Sequence, residues 1–229
     1  MLPLMNTPTF KTVIPSVDQE ILMRPFLVKE EKILLLAKQS KDKDQIFLSV
    51  MQVVQNCMVD QEFDVSKLPF FDVEYLFIQL RLNSIGDNVS IKLYDDEVDG
   101  EVDAEIDLND LNVVANEVEE SIKLDDDTVI NFKYPTLKDL SKIDAEDDVS
   151  SFFDLLKYCI DSVVQGDAAY TFNQYTDEEK DQFIESLNME QMNLCKQFIS
   201  NLPSVQIEAK WKIGKEQKSR TIKGMNSFF

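Results

Sequence analysis

The sequence predicts an α+β fold in which helices from both halves of the chain form the core, with an N-terminal hairpin, an inserted acidic antiparallel β meander and a C-terminal hairpin. Three observations carry that expectation. Apolar residues recur at spacings of three and four through residues 28–83 and 137–202, the period of a helix face. They alternate at a spacing of two between 89 and 134 and between 205 and 211, the period of a strand. Proline, glycine or aspartate clusters stand where the period changes. With 229 residues and 44% hydrophobic content, the chain buries a substantial core. A single domain over 1–229 is expected: hairpin and helices at 1–87, an acidic β insertion at 88–134, a helical part at 135–203, and a basic hairpin and tail at 204–229.

The elements follow in order. Thr9–Ile14 and Glu20–Arg24 are β-prone runs separated by Pro15 and Ser16. Pro25 pushes Arg24 into an extended conformation, and a helix is expected from Val28 to Gln39. Glu30 and Glu31 occupy its first turn and Lys38 its last, matching the helix dipole. Ile33 to Ala37 form an apolar band wide enough to imply burial on more than one side. Asp44–Met58 presents Phe47, Val50, Met51, Val54 and Met58 on one face; Asp72–Asn83 presents Tyr75, Leu76, Gln79 and Leu82. Alternation follows at Val89–Leu93, Val102–Leu108, Ser121–Leu124 and Thr128–Tyr134, with Asp125–Asp127 as a hairpin turn. Leu137–Ile143 is a short helix. Val149–Gln165 is a long one ending at Gly166, a favourable residue beyond a helix C-terminus. Thr176 and Glu179 have capping-box spacing before a helix through Leu187. Met189–Leu202 is the last helix, ended by Pro203. Val205, Ile207, Ala209 and Trp211 form a strand that Thr221 and Ile222 rejoin.

The net charge of −20 is uneven. Residues 95–148 hold 20 acidic and 4 basic side chains, a net of −16, whereas residues 209–229 hold 6 basic and 1 acidic, a net of +5. Such a chain is repelled by nucleic acid and anionic membranes and attracted to basic protein surfaces. The N-terminus lacks the pattern of a secretory signal, and no apolar run approaches the roughly 18 residues of a membrane span. Cys57, Cys159 and Cys195 lie far apart in apolar helical patterns, as buried reduced thiols do.

The absence of histidine removes Ser-His-Asp and Cys-His pairs and histidine metal sites. Five scattered glycines form no phosphate cradle. Asp95, Glu97, Asp99 and Gly100 imitate the start of a calcium loop, but Ile106 stands where a bidentate glutamate belongs. Among 43 acidic residues chance carboxylate pairs are expected, so they do not single out a hydrolase. No catalytic residue, cofactor or metal is expected. Around Trp211, Lys210, Lys212, Lys215, Lys218, Arg220 and Lys223 leave three readings open: phosphate contacts with stacking, a solvated hairpin with Trp211 in the core, or docking onto an acidic neighbour. The candidate partner-binding residues are Trp211, Lys212, Lys215, Arg220, Phe228 and Phe229.

Two blocks carry a family resemblance. Arg24–Ala37, RPFLVKEEKILLLA, resembles the opening signature of the baseplate hub and hub assembly proteins of T4-like contractile-tailed bacteriophages. Leu68–Gly86, LPFFDVEYLFIQLRLNSIG, resembles the motif that follows it. FKYPTL at 132–137, FDLLKYCIDSVVQG at 153–166 and KGMNSFF at 223–229 match in order. The matching positions Arg24, Pro25, Phe26, Glu30, Glu31, Lys32, Asp72, Tyr75, Arg81 and Gly86 are read as structural, with Arg24 expected to pair with Asp72 or Glu74. Some relatives carry paired cysteines near the C-terminus; Val205–Lys218 has none, so a zinc site does not transfer. The resemblance implies a non-enzymatic tail protein, a hub subunit or a hub assembly factor, working through other hub or tail proteins in the host cytoplasm during assembly or in the virion tail. The acidic meander and the basic hairpin are expected to engage different partners. The rival readings are an acidic DNA-mimic inhibitor and a calcium-dependent binding module.

Overall fold

A computed structural model describes residues 5–59, 63–116, 119–143 and 148–224, the side chains of 148 and 149 excepted. Phe228 and Phe229 lie outside these residues. Among the described residues there are seven α-helices and eleven strands, and every sheet pairing is antiparallel, which is the α+β class the sequence predicts. The chain divides into two compact units, residues 1–114 with 204–229, and residues 115–203.

The first unit opens with a hairpin, β1 (Phe10–Ile14) and β2 (Gln19–Met23). Helices α1 (Val28–Ser40), α2 (Lys43–Cys57) and α3 (Phe70–Ser84) follow. Lys41 in the left-handed region ends α1, and the Asp42 carboxylate accepts from the N–H groups of Asp44 and Gln45 to start α2, giving a tight helical turn. One expectation is corrected here. The apolar band of α1 is not buried on more than one side: Ala37 is buried, but Leu35 and Leu36 are 55% and 57% exposed. The emphasis in α3 also shifts, since Val73, Leu76, Phe77, Ile78 and Leu80 are buried while Tyr75, Gln79 and Leu82 are half-buried. Its amphipathic stripe is blurred because nearly every side is apolar. Strands β3 (Asn88–Asp95), β4 (Gly100–Asp107) and β5 (Asn112–Val114) complete this stretch.

The second unit contains β6 (Ser121–Lys123), β7 (Thr128–Phe132), α4 (Leu137–Ser141), α5 (Asp148–Cys159), β8 (Ile160–Gln165), β9 (Ala168–Thr171), α6 (Asp177–Glu185) and α7 (Met189–Ser200). The acidic run 88–134 is therefore shared between two sheets rather than forming one. The helix expected over Val149–Gln165 is also corrected: it ends at Cys159, and Ile160–Gln165 is a strand. Ile160, Val163 and Val164 are β-branched and favour that conformation, and the Lys133 N–H donates to the Cys159 carbonyl at 2.7 Å, drawing the chain beside β7. Gly166, with φ +56°, takes the first position of a two-residue β8–β9 turn instead of ending a helix. Ile130, Phe132, Leu156, Cys159, Cys195 and Phe198 form the core, with Phe132 and Phe198 stacked at 4.4 Å between centroids.

The chain then returns to the first unit as β10 (Ser204–Ile213) and β11 (Glu216–Lys223), giving a sheet ordered β11-β10-β4-β3 with β5 beside β10. Ala104, Ile106, Val205, Ile207, Ala209, Trp211 and Ile222 line its buried face, and α3 lies against β10. The three cysteines are free and buried, and burial pushes their thiols up to about 11 for Cys57 and Cys195 and about 12 for Cys159, so they stay protonated at neutral pH.

Candidate interaction site

The signature residues meet at a joint where β2, α1 and the end of α2 come together. Backbone bonds hold it: the Arg24 N–H donates to the Cys57 carbonyl and the Val59 N–H to the Leu22 carbonyl, each at 2.9 Å. Arg24 pairs with Glu30, Nη2 to Oε1 at 2.9 Å, which corrects the expected pairing with Asp72 or Glu74. Its guanidinium also donates to the carbonyls of Asn56 at 2.9 Å and Pro25 at 3.0 Å. Glu30 has no exposed surface, and the Leu27 N–H donates to its other oxygen at 2.9 Å. Burial opposes its charge, but the bonds from Arg24 and Leu27 outweigh burial and hold the carboxyl below its ordinary pKa. The hydrogen bond to Glu30 raises Arg24 in turn.

The other signature positions serve neighbouring contacts. Asp72 accepts from the Ser16 N–H at 2.9 Å and from the Ser16 hydroxyl, tying the β1–β2 turn to α3; burial raises its pKa. The Phe26 N–H donates to the Ser84 hydroxyl at 3.0 Å. Pro25 is half-buried beside it, while Glu31 and Lys32 are exposed on α1. Tyr75 is half-buried; Arg81 is half-buried, its Nε without a hydrogen-bond partner among the described residues, and burial lowers its pKa. Gly86 sits at φ +137°, where a side chain is strained although open space surrounds it. Gly86→Ala is expected to cost about 1–2 kcal/mol in urea denaturation, and an unchanged midpoint would remove the backbone explanation.

The sheet of the first unit supplies a charged surface. Glu101, Asp103, Glu105 and Asp107 on β4 face away from the buried side, and Glu105 stands opposite Lys210 on β10. Lys92 pairs with Glu101 at 3.2 Å, and Lys210 with Asp110 at 3.2 Å and Glu208 at 3.3 Å. Asp103, Glu105, Lys210 and Lys212 line one shallow depression of about 360 Å³. Lys212, Lys215 and Arg220 are exposed. The basic hairpin and the acidic strands β3 and β4 thus lie side by side in one sheet. Charge complementarity acts first within the chain.

Trp211 requires a correction as well. It is only 6% exposed, its Nε1 donates to Asp95 at 2.8 Å, and Arg220 lies 5.7 Å over its ring. It belongs to the core reading and offers no ring to a partner. Lys218 bridges Asp95 at 3.7 Å and Glu97 at 2.6 Å. The Asp95–Gly100 loop is the β3–β4 hairpin turn, with the Asp95 carboxylate committed to Trp211, Lys218 and the Glu97 N–H. Among the described residues no group of three or more carboxylates, cysteines or histidines is placed to hold a metal ion. Iodide is expected to quench the fluorescence of this sole tryptophan weakly in the native chain; quenching equal to that of the urea-unfolded chain would contradict its burial.

A sequence model of the family described as T4 bacteriophage base plate protein matches residues 5–229. The chain belongs to this family. The match covers both units, so the signature joint, the charged sheet and the second unit are all parts of one baseplate protein. Neither the curated proteins nor the solved structures gave a match. Membership places the baseplate protein in the phage tail and implies contacts with other tail proteins. No helix among the described residues is long and apolar enough to cross a membrane.

Proposed function

We propose that this baseplate protein helps to build the central hub of the baseplate, as a hub subunit or a hub assembly factor, and that it works through protein contacts rather than catalysis. The family match over both units carries the reading. The mixed-charge sheet supports it: acidic β4 beside Lys210 and Lys212, with the exposed Lys215 in the β10–β11 turn, offers both signs of charge, which favours oriented docking on a protein. It is a poor imitation of a nucleic-acid backbone, because lysines interrupt the acidic rows. Lys212, Lys215 and Arg220 are the described residues assigned to partner contact, with Phe228 and Phe229 as further proposed anchors.

In phage deprived of the protein, the wild-type chain should restore baseplate hubs. The double variant Lys212→Glu, Lys215→Glu should restore at least tenfold fewer, while its stability stays within about 0.5 kcal/mol of wild type because both side chains are exposed. Full restoration by the variant would remove these lysines from the contact.

A further inference from the structure

The four-stranded sheet of the second unit ends at β9, which is hydrogen-bonded to β8 on one side and forms the edge on the other. All four β9 residues are exposed. Gln165 and Ala168 flank the two-residue turn, so this pair is hydrogen-bonded across the hairpin; Ala169 directs its N–H and C=O outward and Thr171 its N–H, the Thr171 carbonyl starting the 3-10 turn Phe172–Gln174. An edge of this kind is a template for another strand.

Beside that edge lies an apolar cavity of about 340 Å³ between β9 and α6. Val163, Phe172 and Phe183 form its floor, and Tyr170 and Tyr175, 41% and 38% exposed, form its rim. The rings are mutually braced: Tyr170 and Tyr175 lie 6.4 Å apart and Phe172 and Phe183 5.8 Å apart, centroid to centroid. Space on this scale accepts one large side chain. Residues 115–203 carry 20 acidic and 7 basic side chains, a net of −13. Glu179 lines the cavity, Asp167 sits in the β8–β9 turn, and Asp177 and Glu178 begin α6. Lys180, the cation at the cavity, is paired with Asp177 at 3.1 Å.

We infer that β9 and the adjacent aromatic cavity bind an extended, basic segment of a partner protein, which adds a strand to the sheet and places an aromatic or large aliphatic side chain in the cavity that Tyr170 and Tyr175 rim. Backbone pairing supplies the alignment, the cavity selects the apolar side chain, and the acidic surroundings select flanking Lys or Arg. Pairing of β9 with the β9 of a second copy is disfavoured, since it would set a net of −13 against −13. The inference deepens the reading of a protein that works by contacts, but it stands on the second unit alone and does not use Lys212 or Lys215.

A random twelve-residue peptide library selected against the full-length protein tests it. The enriched peptides should carry an aromatic or large aliphatic residue flanked by Lys or Arg. Synthetic versions should bind at least tenfold more weakly when alternate backbone nitrogens are methylated, and at least fivefold more weakly to Tyr170→Ala, whose thermal unfolding should match wild type because the ring is partly exposed. Hydrogen exchange on binding should slow at the amides of Ala169 and Thr171. Failure to enrich any peptide, enrichment of acidic ones, binding indifferent to both changes, or occupation of this edge by a second copy in sedimentation would each overturn the inference. None of these outcomes depends on whether the protein enters the tail, so this inference and the hub reading fail separately.

Discussion

Arg24→Ala is expected to destabilise the first unit by about 3 kcal/mol, because it strands a carboxylate that has no access to water. Glu30 would keep only the exposed Lys29, at 3.4 Å, as a charge partner, and the carbonyls of Asn56 and Pro25 would lose a donor. Arg24→Lys should fall between wild type and alanine, since an ammonium cannot reproduce the planar fork that reaches all three groups. The change should also appear in the pH dependence. The folded state holds the Glu30 carboxyl below its ordinary pKa, so its contribution is fully present above the unfolded value and is lost as pH falls through the depressed folded value. Without Arg24 only the Leu27 N–H and the exposed Lys29 oppose burial, so the carboxyl pKa should rise, moving the acid-induced loss to higher pH. Urea denaturation across the acid range measures both effects. A loss under about 1 kcal/mol with an unshifted acid limb would show that the pair does not hold the joint.

Phe198→Ala is the second large effect, expected to cost about 3–5 kcal/mol in the second unit. The ring is fully buried, stacks on Phe132 and lies 6.1 Å from Tyr134, so truncation removes the centre of an aromatic group as well as apolar area. Phe198→Leu keeps most of the volume and should cost clearly less. Hydrogen exchange should locate the damage, with faster exchange in β7, β8, α5 and α7, whose residues share that core. A cost under about 1 kcal/mol would mean that this core is packed differently.

The helices and strands with a clear period were legible from their own residues. Thr176 and Glu179 do form a capping box, and Val205, Ile207, Ala209 and Trp211 do alternate into the core. The family was legible too, because the blocks at 24–37 and 68–86 match a baseplate family that covers almost the whole chain. What escaped depended on neighbours distant in sequence. The break between α5 and β8 falls in Tyr158–Ile160, three apolar residues between Lys157 and Asp161 that fit a helix or a strand equally, and the decision comes from pairing with β7. Strand β9 has four residues, AAYT, too few to show a period, so the edge and its aromatic cavity had no sequence signal beyond the Gly166–Asp167 turn.

The charged residues taught a related lesson. Composition located the acidity and the basic tail correctly but gave no register, and register decides that Glu105 and Lys210 are neighbours. Local spacing would have found the partner of Arg24: Glu30 is the third residue of α1, where a glutamate reaches back to the preceding backbone, and Arg24 leaves β2 beside it. The exposed Leu35 and Leu36 show the opposite limit, since an apolar band specifies surface that favours burial without specifying that this chain buries it.

Quantitative mass spectrometry of purified tails and of hub intermediates tests the central claim most directly. The protein should co-purify with hub intermediates, and its persistence in mature tails at a fixed ratio to other baseplate proteins would mark it as a hub subunit, whereas its loss on maturation would mark an assembly factor. Absence from both the intermediates and the tails would contradict a role in building the hub.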